Sequence, residues 1–74
     1  MIKTLKEDNG DWTVYDDESM IAATISIINE YSIIPEDEKT RKYRVDMSGK
    51  TVRTYIKNFN DAVSAAAEAI RDKK

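Results

Sequence analysis

Asp16-Asp17-Glu18-Ser19-Met20-Ile21-Ala22-Ala23-Thr24-Ile25-Ser26-Ile27-Ile28-Asn29-Glu30-Tyr31-Ser32-Ile33-Ile34-Pro35 is the stretch whose reading decides the fold. It opens with three acids and a serine. Such side chains accept hydrogen bonds from the unpaired N–H groups of a helix's first turn and suit its positive end. It closes at Pro35, and a residue before proline is held out of the helical region. The run between these signals is longer than an ordinary strand. Together they predict a helix opened by residues 16–19 and running to about Tyr31–Ile34. The competing reading makes Thr24-Ile25-Ser26-Ile27-Ile28 a strand, because β-branched side chains favour the pleated backbone.

Projected at ~100° per residue, the helix spreads its apolar side chains over roughly 200°, about twice the stripe that packing on one sheet requires. It must then touch two surfaces. One candidate is internal, the small Ala62, Ala65 and Ala69 face of a second helix. The other is a homodimer seam through Met20, Ile27, Tyr31 and Ile34, spaced like the anchors of a helix laid in a groove.

Upstream, Asp8-Asn9-Gly10-Asp11 separates Lys3-Thr4-Leu5-Lys6 from Trp12-Thr13-Val14-Tyr15. Asn-Gly predicts a hairpin with a type I′ turn. A two-residue loop pairs Leu5 with Val14, and a three-residue loop shifts that register by one. Downstream of the charged segment Glu36-Asp37-Glu38-Lys39-Thr40, the runs 42–47 and 50–57 flank Ser48-Gly49, a second hairpin signal. Pairing across that turn sets Val45 opposite Val52 and Tyr43 opposite Thr54. One face then carries Tyr43, Val45, Met47, Val52, Thr54 and Ile56, and alternation of this kind marks a sheet with one face in the core. Asn58-Phe59-Asn60-Asp61 caps a last helix of about 60–72, with Phe59, Val63, Ala66 and Ile70 in its apolar stripe.

The expected fold is therefore α+β in a single domain spanning 1–74: an antiparallel β-sheet from two hairpins with two helices on one face, in the order β-β-α-β-β-α. The expected core is Leu5, Val14, Ile21, Ile25, Ile28, Tyr43, Val45, Val52, Ile56, Phe59, Val63, Ala66 and Ile70.

Charge is distributed unevenly along the 74 residues. Residues 1–38 carry two bases against ten acids, and residues 39–74 carry ten bases against four acids, so a net charge of −2 conceals a polar chain. Asymmetry of this kind points to a charged partner or to two halves that neutralise each other. The chain has no cysteine and no histidine, which removes disulfides, thiolate metal sites, the commonest metal ligand and the commonest general base. It has two glycines, at 10 and 49, and no phosphate-binding glycine loop. Neither a catalytic site, a cofactor nor a metal is expected. The N-terminal residues lack the apolar core of a signal peptide, no run approaches the ~20 residues that span a bilayer, and a cytoplasmic location follows as the expectation.

Two surfaces stand out. Lys42, Arg44, Lys50, Arg53 and Lys57 with Tyr55 give the outer face of the second hairpin cations interleaved with an aromatic, a pattern that suits phosphates and stacked bases. On the expected register Arg44 and Arg53 are near neighbours, and Glu7, Asp11 and Asp16 of the first hairpin, with help from Asp46, are candidates to neutralise them. The large side chains Trp12, Tyr15, Tyr31, Arg44, Arg53 and Tyr55 are the candidate anchors for a protein partner, since aromatics and Arg dominate interface energetics. The sequence thus favours a small non-catalytic protein-binding module, an inhibitor or adaptor of the kind phages and mobile elements encode. A nucleic-acid-binding module using the second hairpin is the alternative.

Overall fold

The computed structural model describes residues 1–28 and 41–73. Five strands, β1 (Ile2–Lys6), β2 (Trp12–Asp16), β3 (Ala22–Ile27), β4 (Tyr43–Met47) and β5 (Lys50–Ile56), precede one helix, α1 (Phe59–Lys73). The strands form one antiparallel sheet in chain order, β1-β2-β3-β4-β5. The α+β class matches the expectation. The order β-β-α-β-β-α with two helices does not: among the described residues there is one helix, and the stretch expected to be the first helix supplies β3. Residues 29–34 of that expected helix lie outside the described residues.

The reason is visible in the pairing. β3 is central, with Val14 of β2 opposite Ala23 and Val45 of β4 opposite Ile25. Ala23 and Ile25 are buried while Ala22 is exposed and Thr24 half-buried. The segment alternates with period two, and its β-branched residues fit a pleated surface bonded on both sides. The acids that resemble a helix start build the β2–β3 turn instead. Asp16 Oδ1 accepts the Glu18 N–H at 3.0 Å, Ser19 Oγ donates to Asp16 Oδ2 at 3.1 Å, and the Met20 N–H donates to Asp16 O at 2.9 Å. A carboxylate that caps the first turn of a helix caps a tight loop by the same chemistry. Met20 takes a left-handed φ of 61°, which helps reverse the chain.

The first hairpin follows the longer of its two loops. The Gly10 N–H donates to Glu7 O (3.2 Å) and the Glu7 N–H to Asp11 O (2.8 Å), closing a three-residue loop with Gly10 at φ 95°. Asn9 keeps its φ negative and uses its side chain to accept the Asp11 N–H at 3.0 Å. This type I turn with a left-handed glycine replaces the expected type I′ turn. The register becomes Leu5 opposite Thr13 and Thr4 opposite Val14, so Leu5 leaves the expected core and is 53% exposed.

The Ser48-Gly49 turn is as expected, with φ of 55° and 78° and Met47 opposite Lys50. Beyond Thr51 the register slips twice, so that Arg53 faces Val45 and Ile56 faces Tyr43. Tyr55, at φ 57°, sits in this irregular stretch. The expected Val45–Val52 and Tyr43–Thr54 pairs are thereby lost. Val52 leaves the expected core and is exposed, while Ile56 keeps its expected place there.

Asn58 caps α1: its Oδ1 accepts the Asp61 N–H at 2.8 Å and its Nδ2 donates to Asp61 Oδ2 at 3.0 Å. The helix lies across β2 to β5 and buries Ala62, Ala65, Ala66, Ala69 and Ile70. With alanine at so many contact positions, the helix axis can approach the sheet closely over Val14, Ala23, Ile25, Tyr43 and Val45. At one end, Trp12, Tyr43 and Phe59 form an aromatic cluster with centroids 4.8–6.1 Å apart in tilted and edge-on geometry.

Two substitutions test β3: Ile25→Ala measures its burial, and Ala22→Thr separates strand from helix. Ile25→Ala should cost about 2–5 kcal/mol by leaving a cavity under α1. Ala22→Thr, on the uncovered side, should be neutral or slightly stabilising, because a β-branched residue suits a strand and disfavours a helix by a few tenths of a kcal/mol. Urea unfolding of both variants measures the difference.

Candidate partner-binding surface

Among the described residues, α1 covers one face of the sheet and no element covers the other. The side chains alternate, so Trp12, Val14, Ala23, Ile25, Tyr43 and Val45 point to the helix. Lys3, Leu5, Thr13, Tyr15, Ala22, Thr24, Ser26, Arg44, Asp46 and Thr51 occupy the opposite side. The register sets Leu5, Thr13, Thr24, Asp46 and Thr51 in one row across all five strands, and Lys3, Tyr15 and Ala22 in the next. The surface carries hydroxyls at its centre, an aromatic and an aliphatic side chain near β1, and charges of both signs.

Its polar groups are held in place. Thr13 Oγ1 donates to Glu7 Oε1 at 2.8 Å. Asp46 accepts from Arg44 Nε at 2.9 Å and from Thr51 Oγ1 at 2.8 Å. The Arg44–Asp46 ion pair is partly exposed and contributes about 0–1 kcal/mol, but it fixes the guanidinium flat along β4. Neutralisation of Arg44 thus comes from its own strand. Of the expected partners, Asp46 is the one that binds Arg44, while Glu7, Asp11 and Asp16 belong to the first hairpin, which β3 separates from β4.

The anchors expected from sequence are dispersed. Tyr15 and Arg44 lie on the open face. Trp12 is half-buried in the aromatic cluster, with Lys6 Nζ 4.1 Å above its ring. Arg53 is turned to the helix side by the register slips and lines a groove of about 200 Å³ with Val52, Ala65, Glu68, Ala69 and Asp72. Tyr55 is exposed on the edge strand. Lys50 opens β5 beside the turn, Lys57 follows that strand, and Lys42 is half-buried before β4. These cations therefore do not form one basic face. Of the expected dimer seam, Met20 is exposed in the β2–β3 turn and Ile27 packs against the core from β3, so no helical stripe joins them. Tyr31 and Ile34 lie outside the described residues. Leu5, Thr13, Thr24 and Ser26, which the open face brings together, escaped the sequence reading. Their one signal was the alternation of Ala22, Thr24 and Ser26 with Ala23, Ile25 and Ile27.

Among the described residues, no group of three or more acids is arranged to hold a metal ion. No helix there is long and apolar enough to cross a membrane. No family model, curated protein or solved structure matches the chain.

One corner of the sheet is clamped electrostatically. The Met1 α-amine donates to Asp17 Oδ1 at 2.9 Å and to Asp16 Oδ1 at 3.3 Å, and Lys3 Nζ lies 3.4 Å from Asp17 Oδ2. Asp16 is fully buried and Asp17 is not. The hydrogen bond from Met1 holds the Asp17 carboxyl below its ordinary value of 3.8, and the hydrogen bond to Asp17 raises the amine above its ordinary value of 8.0. A depressed carboxyl pKa contributes stability above 3.8 that is lost as pH falls through the folded value. A raised amine pKa contributes stability below 8.0 that is lost as pH rises through its folded value. The clamp should therefore hold between these limits and release on both sides. Asp17→Asn should lower the melting temperature in that window, and the difference from the parent should shrink at both extremes. Thermal melts across pH report it.

Proposed function

We propose that this chain is a small non-catalytic protein-binding module, an inhibitor or adaptor that docks its open sheet face on another protein. The observation that carries the reading is the uncovered side of the five-stranded sheet. Tyr15 and Leu5 stand there beside hydroxyls and an oriented Arg44, while the helix occupies only the reverse side.

The balance of charge supports a protein over a nucleic acid. Arg44 shares its face with Asp46, and Arg53 shares its groove with Glu68 and Asp72. A phosphate-binding surface needs an uncompensated row of cations, because release of condensed counterions supplies most of its affinity. A mixed surface with an aromatic and an arginine flanking central hydroxyls suits a protein interface, where such residues give most of the binding energy.

The experiment is affinity capture from extract, with each captured protein re-tested in purified form against surface variants. Thr24→Arg, at the middle of the open face, and Tyr15→Ala should each weaken binding by about tenfold or more, since interface anchors are worth ~1–3 kcal/mol. Lys73→Ala, at the far end of α1, should leave it unchanged. Binding insensitive to both open-face variants would overturn the reading. So would low-salt binding to duplex or single-stranded DNA that collapses with added salt and is lost in Arg44→Ala plus Arg53→Ala.

A further inference from the structure

The two edges of the sheet are built differently. β5 is irregular: its register slips twice and Tyr55 adopts a left-handed φ. Bulges of this kind keep an edge from accepting a further strand. β1 has no bulge and no proline, and pairs with β2 in unbroken register from Ile2 to Lys6. Lysines commonly guard such an edge, but both exposed lysines of β1 are engaged by β2 and its turn, Lys6 over the Trp12 ring and Lys3 toward Asp17. Leu5 stands exposed between them.

The hydrogen bonds define which backbone groups face out. The Glu7 N–H donates to Asp11 O, and Met1 O accepts the Asp17 N–H. Direction alternates along a strand, so Lys3 and Leu5 bond toward β2, and Ile2, Thr4 and Lys6 turn their N–H and C=O groups to solvent.

We propose that β1 pairs with β1 of a second copy of this chain, giving a two-fold antiparallel dimer with a continuous ten-stranded sheet. Outward groups at even positions allow only even registers. The register that sets Thr4 opposite Lys6 of the other copy bonds backbone to backbone twice over. It also sets Leu5 opposite its own counterpart in a non-hydrogen-bonded pair, where side chains approach most closely, and Lys3 opposite Glu7. The register centred on Thr4 instead sets Lys3 against Leu5 and Ile2 against Lys6, and matches neither apolar nor charged groups. The strand is thus self-complementary in one alignment. α1 rests on β2 to β5 and leaves the β1 margin clear of the helix layer. A two-fold axis normal to the sheet keeps both helices on one side and joins the two open faces. The contact is small by the standard of stable dimers, which bury about 1,200–2,000 Å², so the equilibrium is expected near the micromolar range or weaker.

Sedimentation velocity of the full chain over a concentration series tests the dimer. A monomer–dimer equilibrium is expected. Leu5→Arg sets like charges face to face, and Thr4→Pro removes an outward N–H that the fold does not use. Each should raise the dissociation constant at least about tenfold with the melting temperature nearly unchanged. Leu5→Cys, in a chain without other cysteines, should give a covalent dimer on oxidation, whereas Ala22→Cys on β3 should not. A chain monomeric up to about 1 mM, or a dimer that survives both Leu5→Arg and Thr4→Pro, overturns the proposal. A Thr4→Pro monomer that still binds a Tyr15-dependent partner shows that the docking reading does not stand or fall with the dimer.

Discussion

The molecule rests on the burial of Ile25 between two flanking strands and beneath a helix. β3 is bonded to β2 on one side and β4 on the other, and Ile25 sits opposite both Trp12 and Val45. A side chain of that size, fully enclosed, contributes about 1.5–3 kcal/mol through burial alone, a large fraction of what a small domain has to spare. Ala62, Ala65, Ala66 and Ala69 make the enclosure possible by presenting a low helix surface to the sheet. Larger residues there would lift α1 away and leave Val14, Ala23 and Ile25 partly wet. The uncovered side follows directly. Among the described residues the five strands have one helix to pack against, so their other face carries polar side chains with no element over it.

How much of this could be read from the chain depends on whether a local signal has one structural use or several. Ser48-Gly49 has one: two adjacent left-handed residues between alternating strands make a tight hairpin, and they do. Asn58 before Asp61 is equally direct, since the side chain reaches the N–H three residues on. Asp16 to Ser19 is ambiguous by nature. A carboxylate accepting backbone N–H groups looks the same in sequence whether the next residues coil or reverse, and only the strands on either side select the reversal. Asn9-Gly10 failed for a related reason. The Asn9 side chain is satisfied by the Asp11 N–H without a left-handed backbone, so the turn needs only glycine to bend. The open face was illegible because its members sit on five strands, and one residue of register moves each of them to the other side. The slips in β5 had no local marker at all, since Val52 and Tyr55 are ordinary strand residues.

The same slips separate two arginines that a regular hairpin would have placed side by side. Arg44 stays on the open face, bound to Asp46, and Arg53 turns to the groove beside α1. Without them, two cations would oppose each other across β4 and β5, an arrangement that weakens a sheet. The irregular edge therefore removes an internal repulsion, disperses a basic surface, and blocks further strands from joining at β5.

Chain order and strand order coincide in this meander, so the charge asymmetry along the sequence becomes an asymmetry across the sheet. Among the described residues, 1–28 carry two bases against six acids and 41–73 carry eight bases against four acids. Acids accumulate toward β1 and β2, and bases toward β4 and β5, with the hydroxyls of β3 between them. Crossover topologies would have interleaved the two halves and cancelled the field within the molecule. Here the halves are joined edge to edge and only partly offset each other. A surface with opposite ends of opposite sign favours one orientation of an approaching partner over its reverse, and it acts at distances up to the screening length of about 8–10 Å in physiological salt. Under the proposed docking, orientation by charge and affinity through Tyr15, Leu5 and the threonines would be separable properties of the molecule. The first lies in the order of the strands and the second in the register of the first hairpin.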